Sequence, residues 1–151
     1  ELQYYAIRKR AGEAGLRVSE YVRQAGSGIV GELDESETEL EFLKRIKKTF
    51  EVGCLRHNKL KGREIQRVAL CGGAGAFLLP QAIWSGADVF ITGEIKYHDY
   101  FGHEEDILMA EIGHYESEQY TKEIFYSIIR DLFPNFALQL SKINTNPIKY
   151  L

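Results

Sequence analysis

Three short apolar runs, each ending at a glycine, constrain this chain most. They are Val68-Ala69-Leu70-Cys71 before Gly72, Asp88 to Thr92 before Gly93, and Ile107 to Ile112 before Gly113. Each has the length of a strand covered on both faces, where no polar residue needs to alternate with the apolar ones. Around them the pattern turns helical. Phe77 to Trp84 reads as a helix with Pro80 in its first turn, where no intrahelical donor is lost. Tyr120, Ile124, Ile128, Ile129 and Leu132 form one stripe of a stronger helix that stops at Pro134. Upstream, Ser36-Glu37-Thr38-Glu39 offers a capping box for a helix whose stripe is Leu40, Leu43, Ile46 and Phe50. Strands alternating with helices predict a layered α/β/α unit with a largely parallel or mixed sheet. Phe136 to Leu140 is expected as a final strand, and residues 1–27 as a helix followed by a Gly-Ser turn.

Composition narrows the function classes. A length of 151 residues suits one domain, and 44% hydrophobic with 27% charged residues excludes disorder and coiled coil. No run approaches the ~20 apolar residues of a membrane span, and the opening ELQYYAIRKR is too charged for a signal-peptide core. Cys54 and Cys71 lie too far apart for a Cys-x-x-Cys motif, so a reducing cytoplasm is the expected compartment. The net charge of -3 gives no general attraction to nucleic acid. From Lys44 to Arg67 nine Lys/Arg face two Glu, a local +7, but Phe50 is the single aromatic there. That run reads as a solvated helix face and loop. The chain does not begin with Met, and a processed or truncated product is expected.

In open α/β sheets ligands sit beyond the carboxyl ends of strands, which directs attention to the loops after Cys71, Thr92 and Ile112. The first carries Gly72, Gly73 and Gly75, a strand–turn–helix element whose N–H groups are candidates for holding an anion. It completes neither the dinucleotide fingerprint nor the P-loop, and a tight packing turn of small residues accounts for it equally. In the third loop the four-residue spacing puts His114 and Glu118 on one side of a helical turn, a metal-pair geometry suited to zinc, manganese or iron. A cap and dipole arrangement is the commoner origin of such spacing. The second loop adds Glu94, His98 and Asp99, of which Glu94 and His98 are the acid/base candidates. His57 and His103 lie in charged, surface-like stretches.

The ordered set GSGIVGEL, VALCGGAG, ADVFITGEIKYHD and IGHYESE resembles the carboxy-terminal half of the NIF-three-like family, the GTP cyclohydrolase 1 type 2 homologues. The likeness spans residues 26–151. Residues 1–25 are unassigned, and an origin in a domain inserted between the family's two halves is one reading of them. The resemblance implies two similar α/β halves enclosing a dinuclear centre of divalent metal ions, assembled as a homohexameric ring. It also implies metal-ligand roles for His114 and Glu118, and proximity to the centre for the Thr92-Gly93-Glu94 loop and His98. The family's remaining ligands, a His-His pair and an Asp in the amino-terminal half, have no match here, so the missing half is expected to supply them. The implied function is a metal-dependent hydrolase acting on a nucleotide or other phosphorylated small molecule. The competing class is a non-enzymatic metal-binding scaffold or regulatory interaction protein.

Overall fold

A computed structural model describes residues 16–22 and 28–151. Among the described residues six strands form one sheet in the order β1-β2-β4-β5-β6-β3: β1 (Leu16–Val22), β2 (Gly28–Thr38), β3 (Arg56–His57), β4 (Glu64–Cys71), β5 (Val89–Thr92) and β6 (Leu108–Glu111). The three apolar runs are its central members, paired in parallel, β4 to β5 and β5 to β6. The outer pairings are antiparallel, so the sheet is mixed. Alternation along the central strands explains their continuous apolarity. Val68, Leu70, Val89, Ile91, Leu108 and Ala110 enter one core with Phe42, Leu43, Ile46 and Phe50. Ala69, Cys71, Phe90 and Met109 enter a second core on the opposite face, with Leu78, Leu79 and Ala82. Both faces are therefore covered, as in a three-layer α/β/α arrangement.

Helix α1 (Glu39–Thr49) covers the first face against β2 and β4. Its cap lies two residues beyond the expected start, because Ser36 and Glu37 still belong to β2. Thr38 is the N-cap: its hydroxyl accepts from the Glu41 N–H at 3.4 Å and donates to the Glu41 carboxylate at 2.7 Å. The helix face shifts accordingly, with Phe42 fully buried and Leu40 half exposed. A 3-10 turn at Ala76–Leu78 leads into α2 (Leu79–Trp84), with Pro80 in the first turn. The helix expected over the Tyr120 to Leu132 stripe is α4 (Thr121–Leu132), and the helical turn expected to carry His114 and Glu118 is a separate short helix, α3 (His114–Glu118), parted from it at Gln119-Tyr120.

The final strand at Phe136 to Leu140 is not formed; residues 133–151 carry no helix or strand. The position beside β6 is taken by β3, and Phe136 stays exposed, so apolarity alone gave that segment no strand partner and no core. Leu16–Val22 is a strand where a helix was expected. It pairs with β2, so the sheet includes part of the segment read as unassigned. The Gly-Ser turn at Gly26-Ser27 lies outside the described residues. No helix among the described residues is long and apolar enough to cross a membrane.

Candidate functional site

Parallel register brings the candidate loops together. Cys71 pairs with Thr92, and Thr92 with Glu111, so the three strand ends stand level and their loops leave side by side. Two buried hydroxyls tie these loops to one another. Ser117 Oγ accepts from the Gly73 N–H at 2.9 Å and donates to the His114 carbonyl at 2.8 Å. Thr92 Oγ1 accepts from the Gly75 N–H at 3.0 Å and donates to the Gly73 carbonyl at 3.2 Å. The amides of Gly73 and Gly75 are thus engaged inside the protein, as the packing-turn alternative requires, and an anion would have to displace a hydroxyl to reach them. Gly73 sits at φ +63, and a Cβ there would lie 2.5 Å from Glu118 Oε1. The glycine turn is the floor on which the Glu118 carboxylate rests.

Gly113, at φ +92, turns the chain out of β6 and into α3, whose first residue is His114. The His114 ring lies between two carboxylates. Its Nδ1 is 2.8 Å from Glu94 Oε1, and its Nε2 is 3.3 Å from Glu118 Oε2. The closer contact favours an N–H on Nδ1 donating to Glu94; a neutral ring then turns the Nε2 lone pair toward the Glu118 carboxylate. Two electron-rich groups converge there, an arrangement that a proton or a metal cation between them relieves.

Glu94 is itself pinned. Its N–H donates to the Gly73 carbonyl at 3.1 Å, and the next amide, Ile95, donates to Glu111 Oε2 at 3.2 Å. Glu111 also pairs with Arg56, and the Tyr100 hydroxyl donates to it at 3.4 Å. Burial, with the Glu111 charge adding to it, pushes the Tyr100 hydroxyl well above the ordinary phenol range. Burial, helped by the Glu118 charge, raises the Cys71 thiol to about 11, which leaves it neutral beside the site.

Of the predicted residues, the fold joins Glu94, His114, Glu118 and the glycine turn. It does not join His98, which is exposed on the 3-10 turn Tyr97–Tyr100 with its ring edge-on to Tyr97. His57 is exposed at the β3 edge, and His103 stands 3.3 Å from Asp106 near the surface. Among the described residues no group of three or more His, Cys, Asp or Glu is assembled to hold a metal ion. Ser117 and Glu111 were missed, and Thr92 was singled out only as part of the loop after β5, without its role in tying down the glycine turn. Ser117 and Glu111 lie within or beside the recognised motif, but which loop each one ties down depends on strand order.

The sequence pattern of Duf34/NIF3 (NGG1p interacting factor 3) matches residues 3–147. The chain belongs to this family. Curated relatives called GTP cyclohydrolase 1 type 2 homolog are 33% identical over 131 residues in Staphylococcus aureus and 36% identical over 130 residues in Staphylococcus epidermidis. Each alignment takes in 83% of this chain, but only 36% and 35% of those relatives, so the chain spans about a third of their length. The crystal structure of a Staphylococcus aureus protein superimposes with a TM-score of 0.73 at 30% identity, over 83% of this chain and 37% of that one. Within the Duf34/NIF3 family, then, this chain provides one α/β/α unit and the Glu94–His114–Glu118 constellation.

Proposed function

We propose that His114 and Glu118 are two ligands of a divalent metal site in a hydrolase acting on a nucleotide or another phosphorylated small molecule. The observation that carries the reading is the convergence of His114 Nε2 and Glu118 Oε2 at 3.3 Å while Glu94 holds Nδ1 from behind. A carboxylate behind a ligating imidazole sets its tautomer and raises its basicity, the usual arrangement around metal-bound histidine. Imidazole nitrogen with carboxylate oxygen suits zinc, manganese or iron. Two donors are half a coordination sphere, and the remaining ligands come from the part of the family's length that this chain does not span, in a homo-oligomer. The relatives' name supports the choice of a nucleotide-like substrate.

A divalent ion held there supplies Lewis acidity toward an oxygen of substrate or water. The chain's own residues supply the rest. Glu94 keeps the proton on His114 Nδ1, and Glu118 lies over Gly73, where the absence of a side chain leaves room for its carboxylate. Glu94 is over half exposed, so it can also exchange a proton with solvent or substrate.

Calorimetric titration of zinc and manganese into this chain is expected to show weak binding that is lost in His114→Ala and in Glu118→Gln. A protein of the relatives' full length is expected to bind far more tightly and to hydrolyse at least one of a panel of nucleotides and phosphoesters when metal-loaded. Equal affinity in wild type and His114→Ala would overturn the ligand assignment. A metal-loaded full-length protein inert toward the whole panel would overturn the hydrolase reading in favour of a scaffold.

A further inference from the structure

His114 and Glu118 also line a cleft of about 650 Å³, within the range of small-molecule sites. One side is helical: His114, Glu118 and Lys122 follow one another at four-residue intervals across α3 and the start of α4. The other side is the irregular segment 141–148. That segment is held in shape without a ladder. The Asn146 N–H donates to Asn144 Oδ1 at 2.8 Å, the Ile148 N–H donates to Asn146 Oδ1 at 3.0 Å, and Asn146 Nδ2 donates to the buried Glu116 at 3.2 Å.

The cleft walls differ in chemistry. Tyr115, Ile143, Pro147 and Ile148 supply apolar surface, and Ile143 and Ile148 remain 74% and 53% exposed although they line it. Lys122 supplies the positive charge. Its ammonium donates to the Ser141 carbonyl at 3.3 Å and, among the described residues, pairs with no carboxylate. Lys122 is exposed, and one neutral carbonyl uses one of its three donors, which leaves two for a ligand. A pocket with apolar walls, a lysine ammonium with donors to spare and a His–Glu pair at its end fits a ligand with an anionic group joined to an apolar or planar body.

We infer that this cleft binds a phosphorylated small molecule, with Lys122 taking the phosphate and the 141–148 wall covering the body, so that the ligand lies against His114 and Glu118. The inference rests on the reading of that pair as the reacting centre, and adds the residues that select the substrate. Lys122 is then a substrate-binding residue one turn beyond Glu118.

The test is an NMR titration of the isotope-labelled chain with inorganic phosphate and with phenyl phosphate, in the presence of a chelator. Binding of phenyl phosphate is expected to move the amides of Lys122 and of residues 141–148. Its affinity should exceed that of inorganic phosphate about tenfold, from the apolar area covered. Lys122→Gln is expected to weaken both probes about tenfold, the scale of one charge-assisted hydrogen bond, and Lys122→Arg to restore most of it. Ile143→Ser is expected to reduce phenyl phosphate toward the affinity of inorganic phosphate and to leave the latter alone. Shifts confined to other surfaces, or equal affinity in wild type and Lys122→Gln with an otherwise unchanged spectrum, would overturn the inference. Because the titration contains no metal, its outcome is independent of whether His114 and Glu118 ligate one.

Discussion

Helices α1 and α4 are nearly equal in length, 11 and 12 residues, and both carry an apolar stripe, yet the protein uses them differently. Helix α1 buries Phe42, Leu43 and Ile46 against β2 and β4. Helix α4 buries Ile124 alone, with Tyr120 at its cap, and leaves Phe125 and Leu132 42% and 67% exposed. A stripe states that a helix has a preferred side; it does not state what lies there. The first region is a closed core between sheet and helix. The second leads away from that core, and the candidate site lies at the junction, where α3 connects β6 to α4.

The sharpest way to break this contrast is to truncate the buried stripe. Phe42→Ala is expected to cost about 3–5 kcal/mol in urea unfolding, the range for an aromatic removed from a packed core. A cost below 1 kcal/mol would mean that the α1 face is not the core described.

At the junction the effect should be smaller and divided between stability and site. Gly73→Ala places a β-carbon at φ +63, costing about 1–2 kcal/mol, and pushes against Glu118. The expected result is a lower melting temperature together with loss of zinc binding. A variant that keeps both would remove the glycine turn from the site.

Cys71 gives a pH test of the same boundary. Its thiol sits at about 11 when folded and near its ordinary value of 9.0 when unfolded. Between those values the unfolded chain loses the proton and the folded one keeps it, so stability falls as pH rises through 9 toward 11. Cys71→Ala should flatten that alkaline slope in unfolding measured from pH 8 to 11. In the native state a thiol reagent at pH 8 should modify exposed Cys54 and spare Cys71.

The smallest effect belongs to the open end of α4. Leu132→Ala is expected to change the unfolding free energy of this chain by less than about 0.5 kcal/mol. A loss near that of Phe42→Ala would show that α4 is packed against something after all.

Much of the centre was legible in the residues alone. Val68 to Cys71, Asp88 to Thr92 and Ile107 to Ile112 announced strands because sustained apolarity over so few residues has few other uses; β5 and β6 lie within the last two, and β4 takes in the first and extends back to Glu64. The His114–Glu118 pair was legible from helical spacing, which acts within one turn and needs no tertiary information.

The elements that the sequence hid are those whose definition is a partner. Gly28–Thr38 is rich in glycine and acidic residues and shows no strand-like pattern; it is a strand because β1 and β4 pair with it on either side. Arg56–His57 is a strand for the same reason, through β6. Phe136 to Leu140 has the apolarity of a strand but pairs with none of the described strands.

The site divides along the same line. Residue types and local spacing determined that His114 and Glu118 would share a face and that a turn of small residues would follow Cys71; which of its glycines takes the positive φ, Gly73 alone, was not in the pattern. Only the parallel register of β4, β5 and β6 decided that Glu94 stands behind the imidazole, that Thr92 and Ser117 occupy the amides of the turn, and that Glu111 fastens the loop carrying Glu94. Helical spacing is a property of one chain segment, whereas these contacts join residues 16 to 44 positions apart, and no local pattern encodes which strand ends will meet.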